Sequence, residues 1–239
     1  MFDQGQFYPG QPIQFMDGLL DPILGAGGYK TFFSEYTVGA KPSDWSQKWD
    51  TTNVPLVQTV AGSLGGKALR WTKTSANRMG LSWDRLPSAA DCEILIRARA
   101  IEAFGAGEII LRPVARASGA FGAENGYVAT FGAGGTNNYF MNIQKYVAGA
   151  STTIIANTPG PTPAYVVNDW VWYRYRLSGT TLSIKIWKDG SAEPGSFSSV
   201  VDASIAAAGW IGLGIGSANP DCECDFFSAA FNGETATGP

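Results

Sequence analysis

The chain has 239 residues, with 17 Lys and Arg against 20 Asp and Glu, a net charge of −3 and no histidine. No basic excess exists to neutralise a run of phosphates, and the missing histidine removes Ser-His-Asp and Cys-His catalysis and His-ligated zinc, so nucleic-acid partners and much hydrolytic chemistry are excluded. Charged residues make up 15% of the chain, and 30 glycines and 13 prolines punctuate a 45% hydrophobic sequence, the composition of a folded protein with many turns, few helices and a sizeable core.

Residues 1–30 hold Pro9, Pro12, Pro22 and the run Gly25-Ala26-Gly27-Gly28 among scattered apolar residues such as Phe7, Tyr8, Phe15, Leu19 and Leu24. They follow neither a helical nor a strand period and are too apolar for an ordinary disordered tail. They read as an arm that gains order on another surface or packs across its own domain. The start lacks the basic region and apolar run of a signal peptide. No stretch is long and unbroken enough for a transmembrane helix, so synthesis in a host cytoplasm, with no membrane partner, is expected.

Residues 31–239 read as one all-β domain. Residues 69–72, 93–99, 108–112, 126–131, 139–147 and 152–156 are short β-rich runs bounded by Gly, Pro and Asp, with Gly132-Ala133-Gly134-Gly135 and the stretch 159–163 as loops. Over residues 170–188, a two-residue turn at Gly179-Thr180 pairs Leu177 with Leu182, Tyr175 with Ile184 and Tyr173 with Ile186 on an apolar face. The other face then pairs Arg176 with Ser183, Arg174 with Lys185 and Trp172 with Trp187, which sets two cations opposite each other and calls for a nearby anion.

Farther on, Ile211, Leu213 and Ile215 alternate with Gly212, Gly214 and Gly216, so one face is core and the other is bare, as where something approaches closely. Asp221, Glu223 and Asp225 share one face of the next run and Cys222, Cys224 and Phe226 the other. The acidic face is a source of anions for Arg174, Arg176 and Lys185. With Cys92, the cysteines are too few and too awkwardly spaced for a disulfide framework, and they read as buried thiols.

The run Pro42-Ser43-Asp44-Trp45-Ser46-Gln47-Lys48-Trp49, the hairpin over 172–190 closing on Trp187-Lys188-Asp189-Gly190, Glu193-Pro194 and the Gly-rich strand near the end together resemble concanavalin A-like (laminin G-like) β-sandwich domains of the kind found in bacteriophage virion proteins. The resemblance covers roughly residues 32–235. It implies a jelly-roll sandwich of two curved antiparallel sheets, one concave and often used for glycans or partner contacts. Glycoside hydrolases of this architecture carry an E-x-D-x-x-E strand. Asp221-x-Glu223-x-Asp225 departs from it in residue type, spacing and place, so no catalytic role is carried over.

Fold does not fix function, and three readings follow. The first is a non-enzymatic virion structural protein, a capsid decoration, cement or tail-associated subunit, homo-oligomeric and contacting other virion proteins through its N-terminal arm. The second is a carbohydrate-binding module and the third a glycan-cleaving enzyme. Trp172, Trp187, Arg174, Arg176 and Lys185 are the candidate glycan or partner contacts. No catalytic residue, metal site or cofactor is assigned, since a lone C-x-C gives half a metal site.

Overall fold

The structure, a computed structural model, describes residues 28–72, 78–103, 111–133, 139–159, 165–216 and 220–239. The arm residues 1–27 and most of the run 108–112 lie outside the described residues. In chain order the strands are β1 (Tyr29–Thr31), β2 (Trp45–Trp49), β3 (Leu56–Thr59), β4 (Lys67–Trp71), β5 (Met79–Trp83), β6 (Cys92–Ala100), β7 (Arg112–Ser118) and β8 (Asn125–Ala133). They continue as β9 (Tyr139–Val147), β10 (Ala150–Pro159), β11 (Val171–Ser178), β12 (Thr181–Lys188), β13 (Ser198–Val201), β14 (Trp210–Ile215) and β15 (Cys222–Phe231).

Two antiparallel sheets result. One runs β13-β12-β11-β6-β15-β4-β3, with β1 also paired to β15, and the other runs β10-β9-β8-β7-β14-β5-β2. Their inner faces enclose a core in which Trp45 and Trp83 stack 5.5 Å apart, with Phe227 edge-on to both. Tyr127, Phe131, Tyr173, Tyr175, Leu213 and Ile215 continue that core. The two faces of each strand differ because successive side chains point to opposite sides.

The hairpin β11-β12 has the register its alternation dictates, Leu177 with Leu182 through Trp172 with Trp187. Gly179 takes φ +55° at the first turn position, the left-handed conformation that glycine adopts without strain. Pro159 sits at the end of β10, an edge strand where its missing N–H interrupts no interior ladder.

Three sequence expectations are corrected. Sheet pairing starts inside the arm's span, since Tyr29 faces Ala229. Gly132 and Ala133 extend β8 opposite Phe140 and Tyr139 rather than forming a loop, because ladder bonds need the backbone alone. Phe226 does not share the face of Cys222 and Cys224. Cys224 pairs with Ala98 and Phe226 with Arg97, so Asp225 is the extra residue of a β-bulge, which shifts the alternation by one. The two cysteines and Phe227 therefore enter the main core, while Phe226 packs on the outer face.

Candidate functional site

The register of β11 and β12 brings Trp172, Arg174, Arg176, Lys185 and Trp187 together on the outer face of the eight-stranded sheet. Their anions come from elsewhere than expected, because β6 lies between β11 and β15. Glu93 of β6, 1% exposed, accepts from Arg174 Nη1 at 2.5 Å and from Arg176 Nε at 2.5 Å. Glu193, beyond β12, accepts from Arg174 Nε at 2.7 Å and pairs with Lys185 at 2.6 Å. Burial pushes the Glu193 carboxyl upward, but the hydrogen bonds from Arg174 and Lys185 outweigh it and hold the group below the ordinary range.

The β15 carboxylates serve other cations. Glu223 accepts from Arg70 Nε and Arg99 Nε, each at 2.8 Å, and Asp225 pairs with Arg97 and accepts from the Leu64 N–H. Asp221 lies at the strand's approach, where its N–H donates to Glu102.

This face is also roofed. Trp172 and Trp187, each 8% exposed, stack at 6.1 Å and 14°, and Trp172 Nε1 donates to Asp189 at 2.7 Å. Phe226 packs edge-on against Trp172. Phe197 lies under Arg176 and Lys185, and the C-terminal segment is pinned where Ala236 N–H donates to Glu93 and its carbonyl accepts from Arg174. Little ring face is left for a sugar. Burial pushes the Cys92 and Cys222 thiols up to about 12, so neither is a thiolate near neutrality.

The outer face of the seven-stranded sheet is built differently. Gly212 and Gly214 of β14 face this way, and with Gly80 of β5 they leave a floor without side chains. What approaches the bare face is aromatic. A Cβ on Gly80 would meet Trp210 Cη2 at 2.5 Å and Trp49 Cε3 at 3.2 Å. Trp49 packs edge-on against Trp210 at 5.2 Å and lies 5.9 Å from Tyr146.

Beside these rings a polar row crosses the strands. Arg112 stands opposite Gly214, and Thr130 opposite Asn142. Arg112 and Thr130 are each two residues beyond the pair Val114 and Val128, and so are neighbours. All three are buried, and Arg112 Nε, Thr130 Oγ1 and Asn142 Oδ1 have no hydrogen-bond partner among the described residues. Arg112 donates instead to the Gln144 amide oxygen at 3.1 Å, Tyr146 Oη at 2.9 Å and the Ile215 carbonyl at 3.3 Å. Arg78 lies over the Tyr146 ring at 4.7 Å and pairs at 3.4 Å with buried Glu124, whose Oε1 also has no partner among the described residues.

Buried polar atoms are nearly always hydrogen-bonded, so an aligned set without partners beside aromatic rings has the makeup of a polar ligand site. Sequence reading missed Arg112, Thr130 and Asn142. Arg112 opens β7, Thr130 lies in β8 and Asn142 shares β9 with Gln144 and Lys145, so each looks like ordinary alternation until pairing aligns them. The bare glycine face was the one visible signal. Among the described residues, no group of three or more His, Cys, Asp or Glu stands together to hold a metal.

No family model and no curated protein sequence matches the chain. Solved structures do. The exoplasmic/lumenal domain of VIP36 in its Ca2+/Man-bound form superposes with a TM-score of 0.55 at 9% identity, over 80% of this chain and 84% of that one. The carbohydrate binding module CBM66 from Bacillus subtilis gives 0.51 at 15%, over 81% and 99%. The conserved carbohydrate esterase from Shiga toxin-encoding bacteriophage phi24B gives 0.50 at 15%, over 79% and 90%. The fold is a concanavalin A-like β-sandwich. This sandwich architecture is thus shared with a carbohydrate-binding module, a mannose-bound domain and a phage esterase, and at these identities the likeness concerns the fold alone.

Proposed function

We propose that this concanavalin A-like sandwich is a non-catalytic glycan-binding protein whose contact surface is the outer face of the seven-stranded sheet. The observation that carries the reading is the row of buried, unpartnered atoms Arg112 Nε, Thr130 Oγ1 and Asn142 Oδ1. A sugar presents hydroxyls that donate and accept, which such a row needs, and C–H faces that pack on a ring such as Trp210, which is partly buried where Trp49 and Tyr146 are buried. The opposite sheet favours a structural role, because its cations are matched by carboxylates of the same chain. Ion pairing of Glu223 and Asp225 speaks against their service as an acid and nucleophile pair.

The test is an array of bacterial and host glycans probed with the full chain and with Thr130→Val, Asn142→Ala and Trp172→Ala. The first two should weaken binding at least tenfold with unchanged circular dichroism, and Trp172→Ala should leave it intact. Loss confined to Trp172→Ala would return the site to Trp172, Trp187, Arg174, Arg176 and Lys185.

The virion reading is compatible with this one, and what supports it is the apolar makeup of the span ahead of β1, with Phe7, Tyr8, Phe15, Leu19 and Leu24, as the candidate contact with other virion subunits. Release from purified particles on deleting residues 1–27, with an unchanged melting temperature, would support the reading, and full retention would reject it.

A further inference from the structure

Arg112 differs from the other buried cations of the sandwich. Arg97 and Arg174 each meet carboxylates, and Arg116, 3% exposed, reaches Asp91 and the carbonyls of Ala90, Gly179 and Ile205. Arg112 is 0% exposed and its described partners are an amide oxygen, a phenol and a carbonyl. A buried guanidinium held by neutral acceptors is poorly compensated, since burial of a charge is offset chiefly by an opposite charge. Arg78 adds a second cation on the same tyrosine ring, while Glu124 pairs with Arg78 rather than with Arg112.

We infer that the seven-stranded face selects a carboxylate-bearing glycan, with Arg112 as the residue that reads the acid. This rests on the glycan-binding reading above and names its ligand class. Gln144, the acceptor of Arg112 Nη1, is half-buried, so the guanidinium lies one side chain beneath the surface. A ligand carboxylate taking the place of that amide would accept a charge-assisted hydrogen bond from Arg112 Nη1, whose Nη2 stays on Tyr146 and the Ile215 carbonyl. The Thr130 hydroxyl can donate to the ligand, and Asn142 Oδ1 can accept from a sugar hydroxyl. A neutral sugar would complete the hydrogen bonds and leave the cation unmatched.

The experiment is calorimetric titration of the full chain with oligogalacturonate and sialyllactose against oligogalactose and lactose, on the wild type, Arg112→Gln and Gln144→Glu. At least one acidic sugar should bind tenfold or more tighter than its neutral counterpart, with the margin shrinking as salt rises. Gln144→Glu places a carboxylate on Arg112 from within. It should abolish the margin while keeping or raising the melting temperature, so the test survives if Arg112→Gln fails to fold. Equal binding of acidic and neutral sugars, or an undiminished margin in Gln144→Glu, would overturn the inference and leave the glycan reading standing. Binding of neither class would remove both.

Discussion

Glu93 shows how one side chain can hold a face together. It receives Arg174, Arg176 and the Ala236 N–H while itself excluded from water, so its removal strands Arg174 with Glu193 as its remaining carboxylate. Breaking a buried pair on one side is far costlier than the pair's net worth, about 3 kcal/mol or more. Glu93→Gln, which keeps the volume, should lose about that much in chemical denaturation and release the C-terminal segment to protease. Gly212 is constrained by backbone rather than by charge, since a Cβ there would lie 2.0 Å from the Leu81 carbonyl oxygen. Gly212→Ala should therefore cost at least the upper part of the ~1–3 kcal/mol usual for overpacking, measured as a shift in the urea midpoint at constant slope.

At the scale of elements, the two sheets are clasped at one edge by Asp202, which follows β13. It accepts from Tyr127 Oη at 2.6 Å on β8 and from Lys145 Nζ at 2.7 Å on β9. Burial alone would raise this carboxyl, but the bonds from Lys145, Tyr127 and Ser204 take it well below its ordinary value of 3.8. A depressed carboxyl contributes stability that is present above the unfolded value and is lost as the pH falls through the folded one. The wild type should thus melt above Asp202→Asn at neutral pH, with the gap narrowing below pH 3.8. A constant gap from pH 7 to 2 would show that the clasp is not ionic.

The hairpin register was legible because apolar and polar residues sort cleanly in one pairing, and a slip of one residue would mix them. The bulge at Asp225 was not, since Phe226 and Phe227 are both apolar and either parity reads as sensible. The polar row was hidden for another reason. Arg112, Thr130 and Asn142 sit on three strands, and sequence shows each strand's faces but not which strands become neighbours.

For the whole molecule, the strand order makes the contacts long-range. β15 lies between β6 and the pair β4 and β1, and β14 lies between β7 and β5, so the two strands latest in sequence occupy interior positions. Refolding should be slow for the chain's size, milliseconds to seconds or longer, as for sandwiches dominated by distant pairings, which stopped-flow fluorescence of the tryptophans would measure. A chain truncated after residue 220 should show no cooperative melting, since it lacks the strand that joins both halves of the eight-stranded sheet. Cooperative melting of that fragment would contradict the central role of β15.

That placement bears on how the protein is made. At roughly 5–20 residues per second on the ribosome, a chain of this length is in synthesis for on the order of 10–50 s, and neither sheet can close until β14 and β15 emerge. Once made, β6, β11 and β12 keep apolar faces uncovered until β15 follows. The nascent chain should thus draw on chaperones, and its yield in a cell should depend on elongation rate and chaperone supply more than on the stability of the finished sandwich.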